Sequence, residues 1–363
     1  MKRLLRFLLR ALIGLSLLLA AVVTVLALLL RREAPCPPGA AAATNALAAD
    51  STPDASTMLA IRQHCYGPPE VLQLERVRRP VPSAHELLVR VRAASVNPLD
   101  WHYQRGRPYI MRLESGIGTP REAAFGADFA GVVEAVGDSV TRFAVGDSVF
   151  GTRTGAFGQY VTIGETAGVA RMPSGVTFED ASALGVAGTT ALQALRDHGH
   201  VRAGERVLIN GASGGVGTFA VQIAKSMGAH VTGVASKRNQ ELMRSLGADA
   251  TVDYTQIDFT QAGDRFDVII DLVGNHSPSA LRRVLERGGR VVLVGGPDLD
   301  PYLGPVRPMV AFTVYGWIVP EAIGGMFAMT TQPDLTALGD LMARGVLRVV
   351  IDRRFTLAEV PAA

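Results

Sequence analysis

A glycine-rich loop between an apolar strand and a helix constrains the fold of this chain more than any other feature. The loop lies in VLINGASGGVGTFAVQIAKSMGAHVTGVASKRN, residues 207–239. Glycine permits a tight turn and lets the backbone approach a pyrophosphate, whose charge is held by free N–H groups and the helix dipole. The spacing is GxxGxxG, not the commoner GxGxxG, so the prediction depends on the flanking strand and helix. The residues expected to bind a dinucleotide are Gly211, Ser213, Gly214, Gly215, Val216 and Gly217.

Strands and helices alternate through the C-terminal half. Near-continuous apolar strands joined by helices predict a parallel sheet covered on both faces, a doubly wound Rossmann arrangement. Such a sheet binds its ligand outside the carboxyl ends of its strands, which makes Val273, Gly274, Gly295 and Gly296 candidate cofactor contacts. The strands are RVLIN (206–210), HVTGVAS (230–236), ADATVDY (248–254), FDVIIDLV (266–273) and RVVLVGG (290–296).

The end of the second of these strands bears on which dinucleotide is bound. An NAD site places an acid there to bind the ribose 2′-hydroxyl, whereas this strand ends in Ser236, Lys237 and Arg238. Cations at this position favour the 2′-phosphate of NADP(H), and Tyr254, at the end of the third strand, offers a hydroxyl to the same phosphate. The alternative is that Lys237 and Arg238 only begin a solvated helix.

Short strands predominate before residue 178. In ELLVRVRAAS, Val89 and Val91 alternate with Arg90 and Arg92, which is typical of a half-buried strand, and turn signals recur until about Gly164. We predict a β-rich domain over 57–178, a Rossmann domain over 179–320, and a return to the first domain over 321–363.

The N-terminus differs in kind from the rest. Residues 11–30 carry no charge and are flanked by basic residues, and at about 1.5 Å per residue they are long enough to span a bilayer. Residues 1–32 are therefore predicted to hold one transmembrane helix; a cleavable signal peptide is the alternative. The charge distribution favours export of the rest of the chain and the cofactor favours the cytoplasm, so the membrane side stays open. The Ala/Pro-rich residues 33–56 are predicted to be a tether.

Composition excludes other classes. The net charge of +3, without a basic run interleaved with aromatics, indicates no nucleic-acid partner. Cys36 and Cys65 are too few for a disulfide framework or a four-cysteine zinc site, and we expect two unpaired thiols.

Beyond the glycine loop, three further stretches establish a family resemblance. They are AASVNPLDW (93–101), FGADFAGVVEAVGDSVTRFAVGDSVFG (125–151) and ALGVAGTTALQAL (183–195). Together with residues 209–229 they resemble the zinc-independent, quinone-oxidoreductase-like branch of the medium-chain dehydrogenase/reductase superfamily, which includes enoyl-reductase domains. The resemblance covers about residues 58–363. It implies a GroES-like catalytic domain, a Rossmann domain, an active site in the cleft between them, and often a homodimer.

The zinc-containing branch carries a Gly-His-Glu motif where this chain has Gly126, Ala127 and Asp128, and a ligand cysteine near SVNPLD. A catalytic zinc needs three protein ligands, so no metal site is predicted. His64 and Cys65 are neighbours in a strand and point to opposite faces, so they do not easily share a metal.

By the same resemblance, Asn97 and Thr189 lie beside the nicotinamide. Their alternatives are a turn-forming asparagine and a buried helical threonine. His102 and Tyr103 follow on the Asn97 loop and are candidates for donating a proton or bounding the pocket, although WHYQRG is equally compatible with packing against the cleft wall.

Two segments fit the family less well. Residues 309–329 are almost wholly apolar, which is compatible with core or dimer packing, a lipophilic acceptor pocket, or a membrane-facing patch. The chain also stops at FTLAEVPAA, where family members usually continue through a helix and a strand, so we expect an unpaired sheet edge and a weaker domain junction.

The sequence thus predicts an α/β enzyme with a GroES-like and a Rossmann domain, preceded by one transmembrane helix. Its predicted function is NADPH-dependent hydride transfer to a lipophilic quinone, enone or reactive carbonyl. The alternative is a non-catalytic dinucleotide-binding or scaffold protein of the same fold.

Overall fold

Three β-sheets organise the computed structural model, which describes residues 24–36, 56–297 and 300–363. A hairpin pairs β1 with β2, a five-stranded antiparallel sheet has the order β6-β3-β4-β5-β7, and a six-stranded parallel sheet has the order β10-β9-β8-β11-β12-β13. The strands are β1 Thr57–Gln63, β2 Leu72–Arg78, β3 Glu86–Ser95, β4 Asp128–Val136, β5 Ser148–Thr152, β6 Tyr160–Gly164, β7 Val169–Arg171, β8 Arg206–Asn210, β9 His230–Ala235, β10 Ala250–Asp253, β11 Phe266–Asp271, β12 Leu285–Leu293 and β13 Ala322–Gly325.

The antiparallel sheet follows from alternation along its strands. In β3, Leu87 and Val89 are fully buried, while Arg90 is exposed. These side chains pack against Phe129 of β4 and Val149 of β5 in one apolar cluster. The predicted half-buried strand is therefore present, between β6 and β4 in the sheet.

The parallel sheet is doubly wound, as predicted. Its order reverses between β8 and β11, which are adjacent although two strands lie between them in the chain. The middle residues of both strands, such as Ile209 and Ile269, are fully buried because helices cover both faces. The helices are α1 Pro98–Arg105, α2 Arg112–Ser115, α3 Phe178–Ser182, α4 Thr189–Gln193, α5 Gly215–Ser226, α6 Gln240–Ser245, α7 Pro278–Arg283, α8 Val306–Gly316 and α9 Gln332–Ala343.

A helical connector links the two larger sheets. It runs from α3 through a π-helical turn, Leu184–Gly188, into α4 and a second π turn, Ala194–His198. Leu184 and Leu195 are fully buried in a cluster that includes residues of both sheets, Phe150 of β5 and Ile209 of β8 among them. The connector therefore sets how the antiparallel and parallel sheets meet.

The prediction of a transmembrane anchor requires correction. Within the described ranges no helix is long and apolar enough to cross a membrane. The predicted span ends in a short helix, residues 24–30, and its residues 11–23 lie outside the described part. Leu30, only 4% exposed, packs against the folded chain, and the Leu30 and Arg32 carbonyls accept hydrogen bonds from Arg112 Nη1 at 3.0 and 2.9 Å. The single-pass membrane localisation drawn from this segment is withdrawn.

The cysteines correct a second prediction. Cys36 and Cys65 form a disulfide, with Cα atoms 5.2 Å apart, and are not the unpaired thiols expected. Two cysteines cannot make a framework, but they can make one bridge, and Ala34 N–H bonded to Gly118 O holds this segment against the domain. Residues 33–36 of the predicted tether are thus fixed, and residues 37–55 lie outside the described part.

The apolar segment 309–329 forms α8 and edge strand β13. Met309, Phe312, Ile323 and Met326 are buried in the core. A second set is exposed to solvent: Val310 and Val314 of α8, and Trp317 and Ile318, which directly follow its last residue. The segment therefore serves core packing with one side and presents an apolar surface with the other.

The last residues return to the β-rich part. Leu357 and Val360, in the 3₁₀ helix Leu357–Ala362, pack against a cluster that contains Ile61 of β1 and Phe125. Residues 357–362 therefore contact the β1–β2 hairpin.

Candidate functional site

The glycine loop turns between β8 and α5, as its sequence predicts. Gly211 has φ of 86°, a conformation that side chains rarely adopt. At Gly217 a Cβ would lie 2.3 Å from Gly211 O, so only glycine lets the first turn of α5 approach the end of the strand. These two glycines are required by the backbone itself.

The remaining loop residues face outward. Gly214 and Gly215 are exposed at the N-terminus of α5, where a Cβ would meet no atom closer than 3.5 Å, and Ser213 and Val216 are half-buried. The helix therefore presents backbone N–H groups and its positive dipole end to an open space without obstruction from side chains. The residues present fit a bound pyrophosphate.

The predicted 2′-phosphate residues gather at the neighbouring strand ends. Ser236 follows β9 and precedes a 3₁₀ turn, Lys237–Asn239, in which Lys237 and Arg238 are exposed. Asp253 of β10 is in register with Ala235, so Tyr254, 61% exposed, lies beside Ser236. Neither cation has a hydrogen bond or ion pair within the described residues, so both charges are available to a ligand.

The ends of β11 and β12 close the other side of the loop. A Cβ at Gly211 would lie 2.8 Å from a Val273 methyl, and one at Gly274 would lie 2.6 Å from Gly295 O. The residues predicted from the strand ends therefore lie together with the glycine loop at one edge of the sheet: Val273, Gly274, Gly295 and Gly296.

Sequence reasoning missed Asp271, which organises this edge. Its Oδ1 accepts hydrogen bonds from Asn210 Nδ2 at 2.8 Å and from the backbone N–H of Gly274 at 2.9 Å, and the residue is fully buried. An acid that ends an otherwise apolar strand, as in FDVIID, is the signal that would have found it.

A cavity of about 590 Å³ lies between the two sheet systems. Asp100 and Tyr103 of α1 line one side, and Val186 and Thr190 of the connector line the other. Arg121 and Arg153 also border the cavity, together with Glu114 and Glu122, so its rim is charged and roughly balanced.

The four predicted catalytic residues are placed differently around this cavity. Tyr103 lines it, and its hydroxyl has no hydrogen-bond partner in the described ranges. Asn97, 6% exposed, lies at the N-terminal end of α1 behind the wall. Thr189 is fully buried with Oγ1 unpaired, while Thr190 lines the cavity in its place. His102 is outside the lining, where Nδ1 bonds Arg107 O at 2.8 Å.

Asn97 connects two buried acids that sequence reasoning did not assign to the site. Its backbone N–H donates to Asp100 Oδ2 at 2.7 Å, and its Nδ2 donates to Asp128 Oδ2 at 3.0 Å. Burial raises the pKa of Asp100 to about 7, with a further increase from the charge of Asp128. Burial likewise raises the pKa of Asp128 to about 6, against the lowering effect of hydrogen bonds from Val186, Asn97 and Ser95. The signal for Asp128 was a charged residue opening the apolar strand DFAGVV.

The zinc ligand set is not present at this position. Asp128 stands where the zinc branch has glutamate, and its oxygens already accept hydrogen bonds. No group of three or more His, Cys, Asp or Glu side chains that could hold a metal ion exists within the ranges described.

Comparison with known proteins agrees with this arrangement. Residues 83–176 match the alcohol dehydrogenase GroES-like domain, and residues 246–363 match a family model described as zinc-binding dehydrogenase. The chain is 36% identical to quinone oxidoreductase of Mus musculus over 259 residues, 67% of this chain and 76% of that protein. It is 34% identical to quinone oxidoreductase of Pseudomonas aeruginosa over 314 residues, 82% of this chain and 92% of that protein.

A solved structure shows the same fold. The quinone oxidoreductase from Coxiella burnetii superposes with a TM-score of 0.74 at 30% identity, over 84% of this chain and 94% of that one. The GroES-like and Rossmann domains expected from the resemblance are thereby confirmed, as is nicotinamide dinucleotide binding. The chain therefore belongs to the quinone-oxidoreductase-like family of medium-chain dehydrogenases/reductases and is an NAD(P)H-dependent oxidoreductase.

Proposed function

We propose that this protein uses NADPH to reduce a quinone, an enone or a reactive carbonyl, without zinc. The observation that carries the proposal is the cavity between the β-rich domain and the connector, lined by Tyr103 and Thr190. Among the described residues, no three His, Cys, Asp or Glu side chains are close enough together to bind a metal ion. When bound, the reduced nicotinamide supplies a hydride to the electrophilic carbon of the acceptor. The protein contributes alignment, exclusion of water and a proton.

Cofactor selection is proposed to rest on Lys237 and Arg238. Both cations are exposed and unpaired in the described part of the chain, and they follow β9, where an NAD site would place an acid. A dianionic 2′-phosphate would gain charge-assisted hydrogen bonds there that a 2′-hydroxyl does not make. NADPH is therefore favoured over NADH.

Tyr103 is proposed to bind the acceptor oxygen and donate its proton. Burial raises the pKa of the Tyr103 hydroxyl, and the charges of Glu114 and Tyr66 raise it further. The hydroxyl therefore remains protonated until negative charge develops on the acceptor oxygen. As hydride adds to the acceptor, an electron pair of its double bond moves to the acceptor oxygen. That oxygen takes the phenolic proton of Tyr103, and solvent then reprotonates the tyrosine. His102 is less suited because its ring lies outside the cavity lining.

A second copy of the chain is the proposed partner for the exposed side of α8. Val310 and Val314 lie one turn apart on α8, Trp317 and Ile318 directly follow it, and all four are exposed. The adjacent β13 pairs with β12 on one edge only within the described sheet. Edge pairing and apolar burial together would cover both features.

The full chain titrated with NADPH and then NADH by fluorescence, followed by turnover on quinones and enones, tests this function. We expect NADPH to bind at least about tenfold more tightly, about 1.4 kcal/mol, with NADPH oxidation that depends on the acceptor. Tight NADPH binding without turnover on any acceptor would instead support the non-catalytic alternative.

A further inference from the structure

Asp128 lies at the junction between the two walls of the cavity. It opens β4, is fully buried, and forms no ion pair in the part of the chain described. Both of its oxygens accept the Val186 N–H at 3.0 Å on the connector side. On the other side Oδ2 accepts Asn97 Nδ2 at 3.0 Å and Ser95 Oγ at 3.1 Å. One carboxylate therefore binds both walls.

The carboxylate also fixes the orientation of the Asn97 amide. An ionised carboxylate only accepts hydrogen bonds, so the amide nitrogen of Asn97 must face Asp128 and the amide oxygen must point away from it. The backbone N–H of Asn97 is already used by Asp100. The start of α1, which carries Tyr103 one and a half turns further on, is thus held at two points.

The connector is built around the same carboxylate. A Cβ at Gly185 would lie 2.2 Å from Asp128 Oδ1, so only glycine allows the π turn Leu184–Gly188 to approach it. This close approach brings Val186 to the cavity, one turn before Thr190, whose Oγ1 donates to Val186 O. The width of the cavity therefore depends on Asp128 contacts at both ends.

We propose that Asp128 is a positioning residue for the reduction: it sets the orientation of the Asn97 amide and the separation of the α1 wall from the Val186–Thr190 wall, between which the acceptor is held. This inference rests on the proposed function. Asp128 itself does not line the cavity, and its effect is exerted through Asn97 and Val186.

A double-mutant cycle tests the proposal. Asp128→Asn, Asn97→Ala and the double variant are compared by kcat/KM for a quinone at saturating NADPH. We expect each single change to lower kcat/KM by about 10–100-fold and the double variant to lose no more than the worse single variant, because Asp128 acts through Asn97. Glu165→Gln is the matched control, since Glu165 is a buried carboxylate that accepts two backbone N–H groups away from the cavity; it should stay within about threefold. Losses that multiply in the double variant would overturn the proposal.

Hydrogen exchange provides a readout that does not need turnover. In Asp128→Asn, amide exchange should accelerate in residues 97–105 and 184–190 and stay unchanged elsewhere in the chain. Acceleration throughout the protein would assign Asp128 a general stabilising role instead. If the wild-type chain binds NADPH but reduces no acceptor, the proposed function fails, while the exchange pattern still decides whether Asp128 positions the walls. If Asp128→Asn does not fold, Ser95→Ala replaces it in both measurements, with a smaller expected loss of about 2–5-fold and the same non-additivity.

Discussion

Asp100 and Asp128 are two buried carboxylates held on either side of one asparagine. The backbone N–H of Asn97 donates to Asp100 and its side-chain amide donates to Asp128. The two acids are close enough that the charge of Asp128 raises the pKa of Asp100. Because neither has an ion-pair partner within the described structure, their ionisation at neutral pH costs folding free energy.

This pair predicts an inverse dependence of stability on pH. The folded pKa values, about 7 for Asp100 and about 6 for Asp128, exceed the ordinary value near 3.8. Between the ordinary pKa and the folded pKa of each acid, the folded state therefore binds more protons than the unfolded state. The free energy of unfolding should therefore fall as pH rises, by roughly 4 kcal/mol between about pH 5 and pH 8, about two thirds of it from Asp100. Carboxylates whose pKa is lowered, such as Glu86, act at more acid pH and do not obscure this window.

Urea unfolding at a series of pH values measures that slope. Asp100→Asn keeps an oxygen for the Asn97 N–H but cannot ionise, so its unfolding free energy should change less across the same range. Equal slopes for wild type and Asp100→Asn would show that Asp100 does not carry most of the effect.

Cofactor preference should depend on the cations after β9. Replacing Lys237 and Arg238 together by alanine should weaken NADPH binding by about tenfold or more and leave NADH binding within about twofold, because only the 2′-phosphate is affected. Arg287→Ala is the control, since Arg287 is also exposed but lies near the amino end of β12. Fluorescence titration gives both dissociation constants. An equal loss of affinity for NADPH and NADH would mean that the two cations do not bind the 2′-phosphate.

Removing the Tyr103 hydroxyl should slow the chemical step. Tyr103→Phe should lower kcat by about 10²-fold, at the lower end of the range for a lost general acid, without changing the NADPH dissociation constant. Tyr160→Phe is the matched control, because Tyr160 lies on β6 against Arg79 and not in the cavity lining. Steady-state kinetics with a quinone make the comparison. If His102→Gln loses as much as Tyr103→Phe does, or more, the proton donor is His102 and our assignment is wrong.

The sequence predicted the elements whose signals are local. The glycine loop, the apolar parallel strands and the cations after β9 are each readable from neighbouring residues, and the structure brings them to one sheet edge. Asp128 and Asp271 are recognisable as acids at the ends of apolar strands, but their roles are not, because their partners, Val186 and Asn210, are about sixty positions away in the chain. Only the folded contact shows that these acids organise backbone and amide groups.

The two errors at the N-terminus have a related cause. A hydropathy argument considers only the residues of the segment itself. It does not detect that Arg112, far along the chain, donates a hydrogen bond to the Leu30 carbonyl. Cysteine counting likewise gave no pairing, because Cys36 and Cys65 are brought together only when residues 30–36 pack on the β-rich domain. The packing of residues 24–36 and the disulfide both depend on contacts between residues that are far apart in the chain.

The exposed side of α8 should hold two copies of the chain together. Trp317 and Ile318 are each 77% exposed, and Gly316, next to them, packs its backbone so closely on β13 that a Cβ would lie 2.1 Å from Ile323 O. Trp317→Glu places a charge that must be desolvated in the proposed interface, so the chain should become monomeric in light scattering at micromolar concentration. Val81→Glu changes an equally exposed apolar residue outside this surface and should leave the dimer intact. If the wild-type chain is a monomer, or if Trp317→Glu stays dimeric, β13 and α8 do not form the interface and the apolar side of α8 needs a different partner.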